Sequence, residues 1–370
     1  MNFLQCFQRS SLLAPNCSPL AARFWLSFCK SIFETIYIMG TQKLLFILLF
    51  LSQGAIASYN DYIQLFQDPF DLIDSHLIPT QKKDIERVVF WMRIYDEWAE
   101  NTLVVHDKIN SEKVYGVFDL KSFYTNATPL KQINRKISSH ELDVLSTVKN
   151  FLLSYTPKSK KPSWFPQETF NTIRLLKKDK ISLLSDRLRV QRGLRRGFQK
   201  ALQVSHPYFL DMEKIFSKKG LNPMLTRICI VESMFNPYSV SKSGAIGVWQ
   251  IMPEIQSAFM NDPSHVDERI DPLKSTLAAS ELIKENLLLL DNNLPLAVVA
   301  YNQGVSEILK NYKNRLFRSD SFKFLREFHS ERFKFSGQNY YYEFLAALYL
   351  QIYDGIDWKN PTKKPVLARN

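Results

Sequence analysis

The residue best suited to chemistry in this sequence is Glu232, an acid at the point where an apolar stretch runs into a turn. Apolar residues recur at helical spacing just before it, which predicts a helix with one face in a core: Leu225, Ile228, Cys229 and Val231. A carboxyl group at the end of such a helix loses water and lies near the negative end of the helix dipole, and both effects raise its pKa. Such a carboxyl can act as a general acid near neutral pH. A single glutamate at a helix end is more often a solvated surface residue, so its neighbours must decide between these interpretations.

Two Asn-Pro pairs predict where this helix begins and ends. Asn222-Pro223 is typical of an N-cap followed by a proline in the first turn. Asn236-Pro237 ends the helix, because proline lacks a backbone N–H and restricts the residue before it. We therefore expect Glu232 in or near the last helical turn.

Two blocks of residues around and beyond Glu232 carry a family resemblance. The first block comprises Glu232-Ser233, Phe235-Asn236-Pro237, Ser241, Gly244-Ala245, Gly247 and Trp249-Gln250-Ile251-Met252-Pro253. The second block is Ala300-Tyr301-Asn302-Gln303-Gly304. In this order and spacing they resemble the signature of SLT-type lytic transglycosylases, over roughly residues 198–353.

The resemblance implies a lysozyme-like α-helical domain and an enzyme that cleaves peptidoglycan without water. In that family one glutamate, here Glu232, protonates the β-1,4 glycosidic oxygen between N-acetylmuramic acid and N-acetylglucosamine. The same carboxylate then takes the proton of the muramoyl C6 hydroxyl group, which closes a 1,6-anhydro ring. Glycoside hydrolysis normally needs two carboxyl groups. The sequence shows no paired arrangement, because the next acid, Glu254, follows the helix break at Pro253. The fold can still bring Asp262, Asp267 or Asp271 near Glu232.

The resemblance also assigns roles around Glu232. Tyr301 matches the family tyrosine near the catalytic acid, where its hydroxyl group can orient the carboxyl or stabilise the transition state. Four further residues match positions that contact the glycan: Ser241, Gln250, Met252 and Asn302. Asn302 has a structural alternative as a hydrogen bonder at a helix end. We expect Trp249 to pack in the core rather than to stack on a sugar.

One stretch departs from the family pattern. Many members carry a Glu-Thr pair before the last helix, shortly ahead of Tyr-Val. The corresponding stretch here, Ser336 to Tyr341, contains no acid. Glu343 follows in a different register, so its role stays open.

No metal or nucleotide cofactor is predicted. The histidines are scattered without the spacing of metal ligands: His76, His106, His140, His206, His265 and His329. A Gly-rich phosphate loop is absent from the sequence, and His106-Asp107 lacks the serine elbow of a catalytic triad.

Residues 39–58 have the layout of a secretory signal peptide. Lys43 precedes the apolar run 44–51, and Ala55-Ile56-Ala57 resembles a cleavage site. The run is too short to span a bilayer comfortably, which disfavours a permanent anchor. Met39 fits the expected initiator, and we predict export to the periplasm or cell envelope.

The net charge of +12 favours an anionic partner. An exported basic protein suits peptidoglycan and the anionic cell envelope surface, whereas nucleic acid, the rival partner, is disfavoured by the signal peptide. The densest basic run, 187–200, is expected to be a solvated helix face or junction. Cys229 is the only cysteine after the predicted signal, which excludes an internal disulfide and favours a core role.

Composition predicts a mainly α protein, since helix formers dominate and only 11 of 370 residues are glycine. We expect a targeting segment (1–57), a mostly helical N-terminal region of unknown role (58–200), an SLT-like catalytic domain (201–356) and a basic tail (357–370). The protein is expected to be a monomer.

Periodicity and cap signals predict the individual elements. Ser138-x-x-Glu141 resembles a capping box, and Asp271-Pro272 opens a helix with Leu273, Leu277, Leu282 and Leu287 inward. The other predicted elements are helices over 83–102, 207–218, 295–302 and 340–353, a helix pair that fills 167–202, strands at 103–105 and 114–118, and a loop over 156–166.

Two other functions are compatible with these residues. A hydrolytic muramidase similar to goose-type lysozyme would share the fold and the acid. A wall-binding protein that has lost catalysis would keep the site without using it. The products released from cell wall would separate these alternatives.

Overall fold

The computed structural model describes residues 77–121, 130–260, 267–312 and 320–354, all within one compact unit, Ala57–Asn370. Helices dominate these residues. The mainly α fold expected from the composition is therefore confirmed.

Predicted segments at both ends of the chain fall outside the described residues. The targeting segment 1–57 and the basic tail 357–370 therefore stay predictions. Among the helices that are described, none combines the length and the apolar character needed to cross a membrane.

Among the described residues before residue 195, a three-stranded antiparallel sheet and four helices are present. The strand order is β2-β1-β3, and the elements in chain order are α1 (Lys82–Asp96), β1 (Thr102–Asp107), β2 (Val114–Asp119), α2 (Leu130–Ser154), α3 (Gln167–Ile173), α4 (Lys178–Ser185) and β3 (Leu188–Arg192). The two predicted strands are confirmed. Two helices do follow residue 166, but the prediction that they fill 167–202 is wrong, because α4 ends at Ser185 and β3 follows it. Strand β3 is missing from the prediction, because its arginines fit a charged helix face equally well.

Strand β1 separates two hydrophobic cores. Side chains of a strand alternate between its faces. Leu103 and Val105 belong to a smaller core with α2, α3 and α4, whereas Val104 belongs to a larger core with α1 and the later helices. His106 follows Val104 in this alternation, and its ring centroid lies 4.5 Å from that of Phe90 in α1.

Among the described residues of the later part of the chain, the regular elements are all helices, and a loop with isolated β-bridges at Val240, Ile246 and Ile251 separates two of them. The helical elements in chain order are α5 (Arg195–Lys218), a 3₁₀ turn (Pro223–Arg227), α6 (Ile228–Ser233), α7 (Pro253–Phe259), a second 3₁₀ turn (Glu268–Ile270), α8 (Pro272–Leu289), α9 (Leu294–Gln303), α10 (Val305–Tyr312), α11 (Ser321–Glu327) and α12 (Phe335–Asp354). The predicted cap at Asp271 is confirmed, because its carboxylate accepts hydrogen bonds from two backbone N–H groups of α8 at 2.8 and 3.0 Å.

Three other predictions about helices are wrong. Ser138 and Glu141 do not begin a helix, because α2 already starts at Leu130. The helix expected from Pro207 begins at Arg195 instead and continues through the proline. Leu277 is 47% exposed. The buried face of α8 is built mainly from small residues, which allow close helix packing: Ser275, Thr276, Ala278, Ala279 and Ser280.

A buried acid in α1 fastens the last two helices. The carboxylate of Asp84 accepts a hydrogen bond from the Tyr342 hydroxyl group of α12 at 2.7 Å. Its other oxygen forms an ion pair with Arg326 of α11, and both side chains are nearly inaccessible to water. Helix α12 is thus held in place by the N-terminal part of the chain.

Candidate active site

Glu232 lies in the last turn of α6, as the sequence predicts. The side chain of Asn222 caps the preceding 3₁₀ turn by accepting a backbone N–H hydrogen bond at 2.9 Å, with Pro223 in the first position. Cys229 is fully buried and its thiol donates to the Thr226 carbonyl oxygen at 2.9 Å. The predicted core role of Cys229 is confirmed.

A buried charge network anchors the start of α6. Arg227 is fully buried and donates to the carboxylate of Glu213 in α5 and to Oε1 of Gln351 in α12, the latter at 2.9 Å. Its guanidinium also lies 4.2 Å from the ring centroid of Phe209. Burial raises the pKa of Glu213, and the charge of Arg227 opposes that rise. The 3₁₀ turn before the helix that carries Glu232 is therefore joined to α5 and α12.

The chain leaves α6 through two consecutive residues with left-handed backbone angles. Met234 has φ 51° and Phe235 has φ 54°. Such angles are uncommon for large side chains. The ring of Phe235 compensates by packing into the larger core, 5.5 Å from the ring centroid of Tyr208. This abrupt end leaves the carboxyl of Glu232 at the edge of the core.

The carboxyl group of Glu232 is half-buried and accepts hydrogen bonds from uncharged donors. Burial raises its pKa to about 7, while hydrogen bonds from Tyr340 and Asn302 oppose the rise. The Tyr340 hydroxyl group bonds Oε1 of Glu232 directly. A carboxyl with this pKa is protonated for about half of the time at neutral pH, so it can give up a proton and take it back.

Tyr301 lies close to Glu232 but directs its hydroxyl group elsewhere. The hydroxyl donates to the carbonyl oxygen of Trp249 at 2.7 Å. Burial raises the pKa of Tyr301, and the charge of Glu232 raises it further. Trp249 itself is fully buried, and its indole N–H donates to Thr276 at 2.8 Å, so its predicted core role is confirmed.

The loop between α6 and α7 contains three of the predicted glycan contacts. Ser241 accepts a hydrogen bond from the Ala245 backbone N–H at 2.9 Å. The side-chain amide of Gln250 donates to two carbonyl oxygens of the same loop, at 3.0 and 3.2 Å. Met252 is the half-buried N-cap of α7. In the described contacts the polar groups of Ser241 and Gln250 shape the loop, and their binding role stays a prediction.

Gly247 allows this loop to approach the segment before α8. Its φ is +86°, and a Cβ atom at this position would lie 1.9 Å from the carbonyl oxygen of Arg269. The Arg269 side chain in turn donates to the carbonyl oxygens of Gly244 and Ile251, at 3.0 and 3.3 Å. No larger residue fits at Gly247 without displacing one of the two segments.

Tyr340 of α12 is missing from the sequence-based site, and Glu343 of the same helix is only a secondary candidate in it. Tyr340 is buried and bonded to Glu232, although the residues are 108 positions apart. Glu343 is half-buried one turn further along the same helix, and burial and the charge of Glu232 raise its pKa to about 8. The only sequence signal for this region is the departure from the family pattern around Ser336 to Tyr341.

Within the described residues no three His, Cys, Asp or Glu side chains are grouped closely enough to hold a metal ion. The arrangement around Glu232 contains carboxyl, phenol and amide groups. These groups can donate, accept and hold protons.

Comparison with known proteins identifies a family over the part of the chain that contains Glu232 and Tyr301. Residues 213–322 match the family model described as the transglycosylase SLT domain. The chain is also 30% identical over 121 residues to membrane-bound lytic murein transglycosylase D of Escherichia coli strain K12, and equally to the same protein of Escherichia coli O6:H1. The match covers 32% of this chain and 27% of each relative. The resemblance to SLT-type lytic transglycosylases is confirmed for this part of the chain.

Proposed function

We propose that this chain, which carries a transglycosylase SLT domain at residues 213–322, is a peptidoglycan lytic transglycosylase. It would cleave the β-1,4 bond between N-acetylmuramic acid and N-acetylglucosamine without water and leave a 1,6-anhydro-muramoyl end. The observation that carries the proposal is the carboxyl of Glu232, half-buried at the end of α6 with a pKa of about 7 and bonded to Tyr340.

In the first proposed step Glu232 acts as a general acid. Its proton moves to the glycosidic oxygen, the bond from that oxygen to the muramoyl C1 breaks, and the bonding electrons stay on the oxygen. The departing N-acetylglucosamine leaves as a neutral alcohol. The positive charge that develops at C1 is stabilised by the substrate's own N-acetyl group, so no second protein carboxylate is needed.

In the second step the carboxylate of Glu232 acts as a general base. It takes the proton of the muramoyl C6 hydroxyl group while O6 bonds to C1 and closes the anhydro ring. The enzyme regains its proton and no water is consumed. One residue suffices for both steps because its pKa lies near the working pH, where neither protonation state is costly.

The neighbours of Glu232 have proposed supporting roles. Tyr340 and Asn302 stabilise the carboxylate formed between the two steps, since their hydrogen bonds favour the charged form. Tyr301 holds the Trp249 carbonyl and so fixes the loop beside Glu232. Ser241, Gln250 and Met252 are proposed to contact the glycan from that loop.

A hydrolytic muramidase is the main competing function, because Glu343 is a second carboxyl electrostatically coupled to Glu232. A hydrolase would need that group ionised, as the base that activates water. Its pKa of about 8 keeps most of it uncharged at neutral pH. This favours the reaction in which the substrate supplies its own nucleophile.

Export and the place of action remain proposals. The predicted signal peptide and the net charge of +12 favour a protein that works in the periplasm or on the anionic cell envelope. We propose that it acts as a monomer.

Mass spectrometry of digested cell-wall sacculi tests the proposed function. The purified protein should release muropeptides that end in anhydro-muramic acid, lighter by one water molecule than hydrolytic products. In water labelled with a heavy oxygen isotope these products should remain unlabelled. Reducing, labelled ends would support the muramidase, and binding without any product would support the inactive wall-binding protein.

A further inference from the structure

Glu343 occupies the same face of α12 as Tyr340. The two residues are three positions apart, so their side chains are neighbours on the helix surface. Because the Tyr340 hydroxyl group is bonded to Glu232, this spacing brings Glu343 to the same site. The influence of the Glu232 charge on Glu343 agrees with that placement.

The carboxyl of Glu343 has no protein partner among the residues that the structure describes. It forms no ion pair there, and no hydrogen bond contributes to its pKa. Its oxygens are not among the buried side-chain atoms that lack a hydrogen-bond partner, so they are accessible to water and to a bound ligand. An open polar position next to an acid that gives and takes protons indicates a place for a substrate group.

Charged and titratable groups from four elements surround Glu343. Glu232 of α6 and Tyr340 of α12 are two of these groups. Tyr95 of α1 is a third, and burial together with the charge of Glu343 raises its pKa. Arg189 of β3 is the one group among them that favours ionisation of Glu343. Its guanidinium lies 4.1 Å from the ring centroid of Phe335 and makes no ion pair with Glu343. Burial and the nearby Glu232 therefore prevail over Arg189.

We propose that Glu343 is a substrate-binding residue that, in its uncharged form, donates a hydrogen bond to an oxygen of the bound glycan beside Glu232. The inference rests on the proposed function, since it assumes a glycan at this site. Peptidoglycan offers acetamido carbonyl and hydroxyl oxygens as acceptors. A neutral carboxylic acid donates strongly and adds no second negative charge next to Glu232 while that residue is ionised.

Two substitutions at Glu343 test the hydrogen bond. Glu343→Gln keeps the shape and an N–H donor, so it should retain most of the kcat/KM on sacculi at pH 6. Glu343→Leu keeps the approximate volume without a donor, and its kcat/KM should fall about tenfold. The same pair of substitutions at the exposed Glu285 of α8 serves as the matched control and should leave kcat/KM unchanged. Thermal unfolding establishes that each variant is folded.

The pH profile gives a readout that a merely structural residue would not change. If both Glu232 and Glu343 must be protonated, log kcat/KM of the wild type falls with a limiting slope of −2 above pH 8. Glu343→Gln has only one required proton left, so its slope should be −1. A wild-type slope of −1, or full activity of Glu343→Leu, overturns the inference while leaving the proposed function intact. Loss of all activity in Glu343→Gln would mean that Glu343 is a base and would overturn it too. A wild type without activity on sacculi would instead contradict the proposed function.

Discussion

Two glutamates in different parts of the molecule have pKa values raised to about 7, yet only one lies in a site suited to catalysis. Glu232 ends helix α6, and Glu112 lies in the turn between β1 and β2. Both side chains are half-buried, and burial is the largest cause of the raised pKa in each. Their titration alone does not distinguish them.

The groups around the two carboxyls differ. Glu112 is hydrogen-bonded by its own backbone, and its other influences are charges, such as those of Glu86 and Lys113. Glu232 instead receives hydrogen bonds from two uncharged side chains, Tyr340 and Asn302, which come from α12 and α9. A perturbed pKa therefore marks a candidate only. Convergent donors from separate elements are what make the end of α6 a candidate active site.

The largest expected difference is in activity. Glu232→Gln removes the only group proposed to give and take the proton, so kcat on sacculi should fall about 10³-fold. Glu112→Gln makes the same chemical change at a carboxyl with a similar pKa and should leave kcat unchanged. Release of anhydro-muropeptides over time measures both. Equal losses in the two variants would contradict the distinction drawn here.

The regions around the two glutamates each contain an Asp-Arg ion pair. Asp84 pairs with Arg326 and holds α12 near Glu232, and Asp107 pairs with Arg187 near Glu112. Asp84→Asn leaves Arg326 with only its longer ion pair to Asp320, and Asp107→Asn leaves Arg187 without its charged partner. Each substitution should lower the free energy of unfolding by about 3 kcal/mol. Only Asp84→Asn should also reduce kcat/KM, because Asp84 holds the helix that carries Tyr340. Urea unfolding and kinetics on folded protein separate the two effects. A comparable loss of kcat/KM in Asp107→Asn would show that the site depends on both regions.

The two glutamates should have a similar, smaller effect on the pH dependence of stability. In each case the folded-state pKa of about 7 exceeds the value of 4.5 for an unperturbed glutamate, so stability is lost as pH rises from 4.5 to 7. Replacement by Gln removes that loss. Glu232→Gln and Glu112→Gln should each be about 3 kcal/mol more stable than the wild type at pH 8 and equal to it at pH 4. Urea unfolding at both pH values measures this, and a gain at pH 4 would contradict the assignment.

The smallest expected effect concerns the tyrosine hydroxyl groups. Tyr340→Phe removes a hydrogen bond that lowers the pKa of Glu232, so kcat/KM should fall about tenfold and its alkaline limb should move to higher pH. Tyr115 is buried near Glu112 and makes no hydrogen bond to it. Tyr115→Phe should change neither quantity. If the alkaline limb of the pH profile does not shift in Tyr340→Phe, the hydrogen bond from Tyr340 does not change the pKa of Glu232.

Local sequence signals account for the parts of the fold that were predicted. The caps at Asn222 and Asp271 act within three residues, and the two signature blocks fix Glu232 and Tyr301 by spacing. The predicted start of helix α5 at Pro207 is wrong because the proline is tolerated inside the helix, where neighbouring packing supports it. The inward face of α8 was misjudged because close packing buries its small residues and leaves Leu277 exposed.

The remainder of the candidate site depends on tertiary packing. Tyr340 reaches Glu232 because the contact of Tyr342 with Asp84 fixes how α12 is rotated. No short-range sequence pattern specifies the rotation of α12 about its axis. Glu343 lies near Glu232 for the same reason. An acid outside the register of the family pattern therefore still belongs to the site.

Direct titration of Glu232 tests the central claim. Carbon NMR of protein labelled at the glutamate carboxyl groups gives the Glu232 signal as the difference between wild type and Glu232→Gln. We predict a midpoint near pH 7 that coincides with the first fall of kcat/KM on the alkaline side. A midpoint near 4.5, with the carboxyl fully ionised where the enzyme is most active, would contradict the assignment of Glu232 as the proton donor.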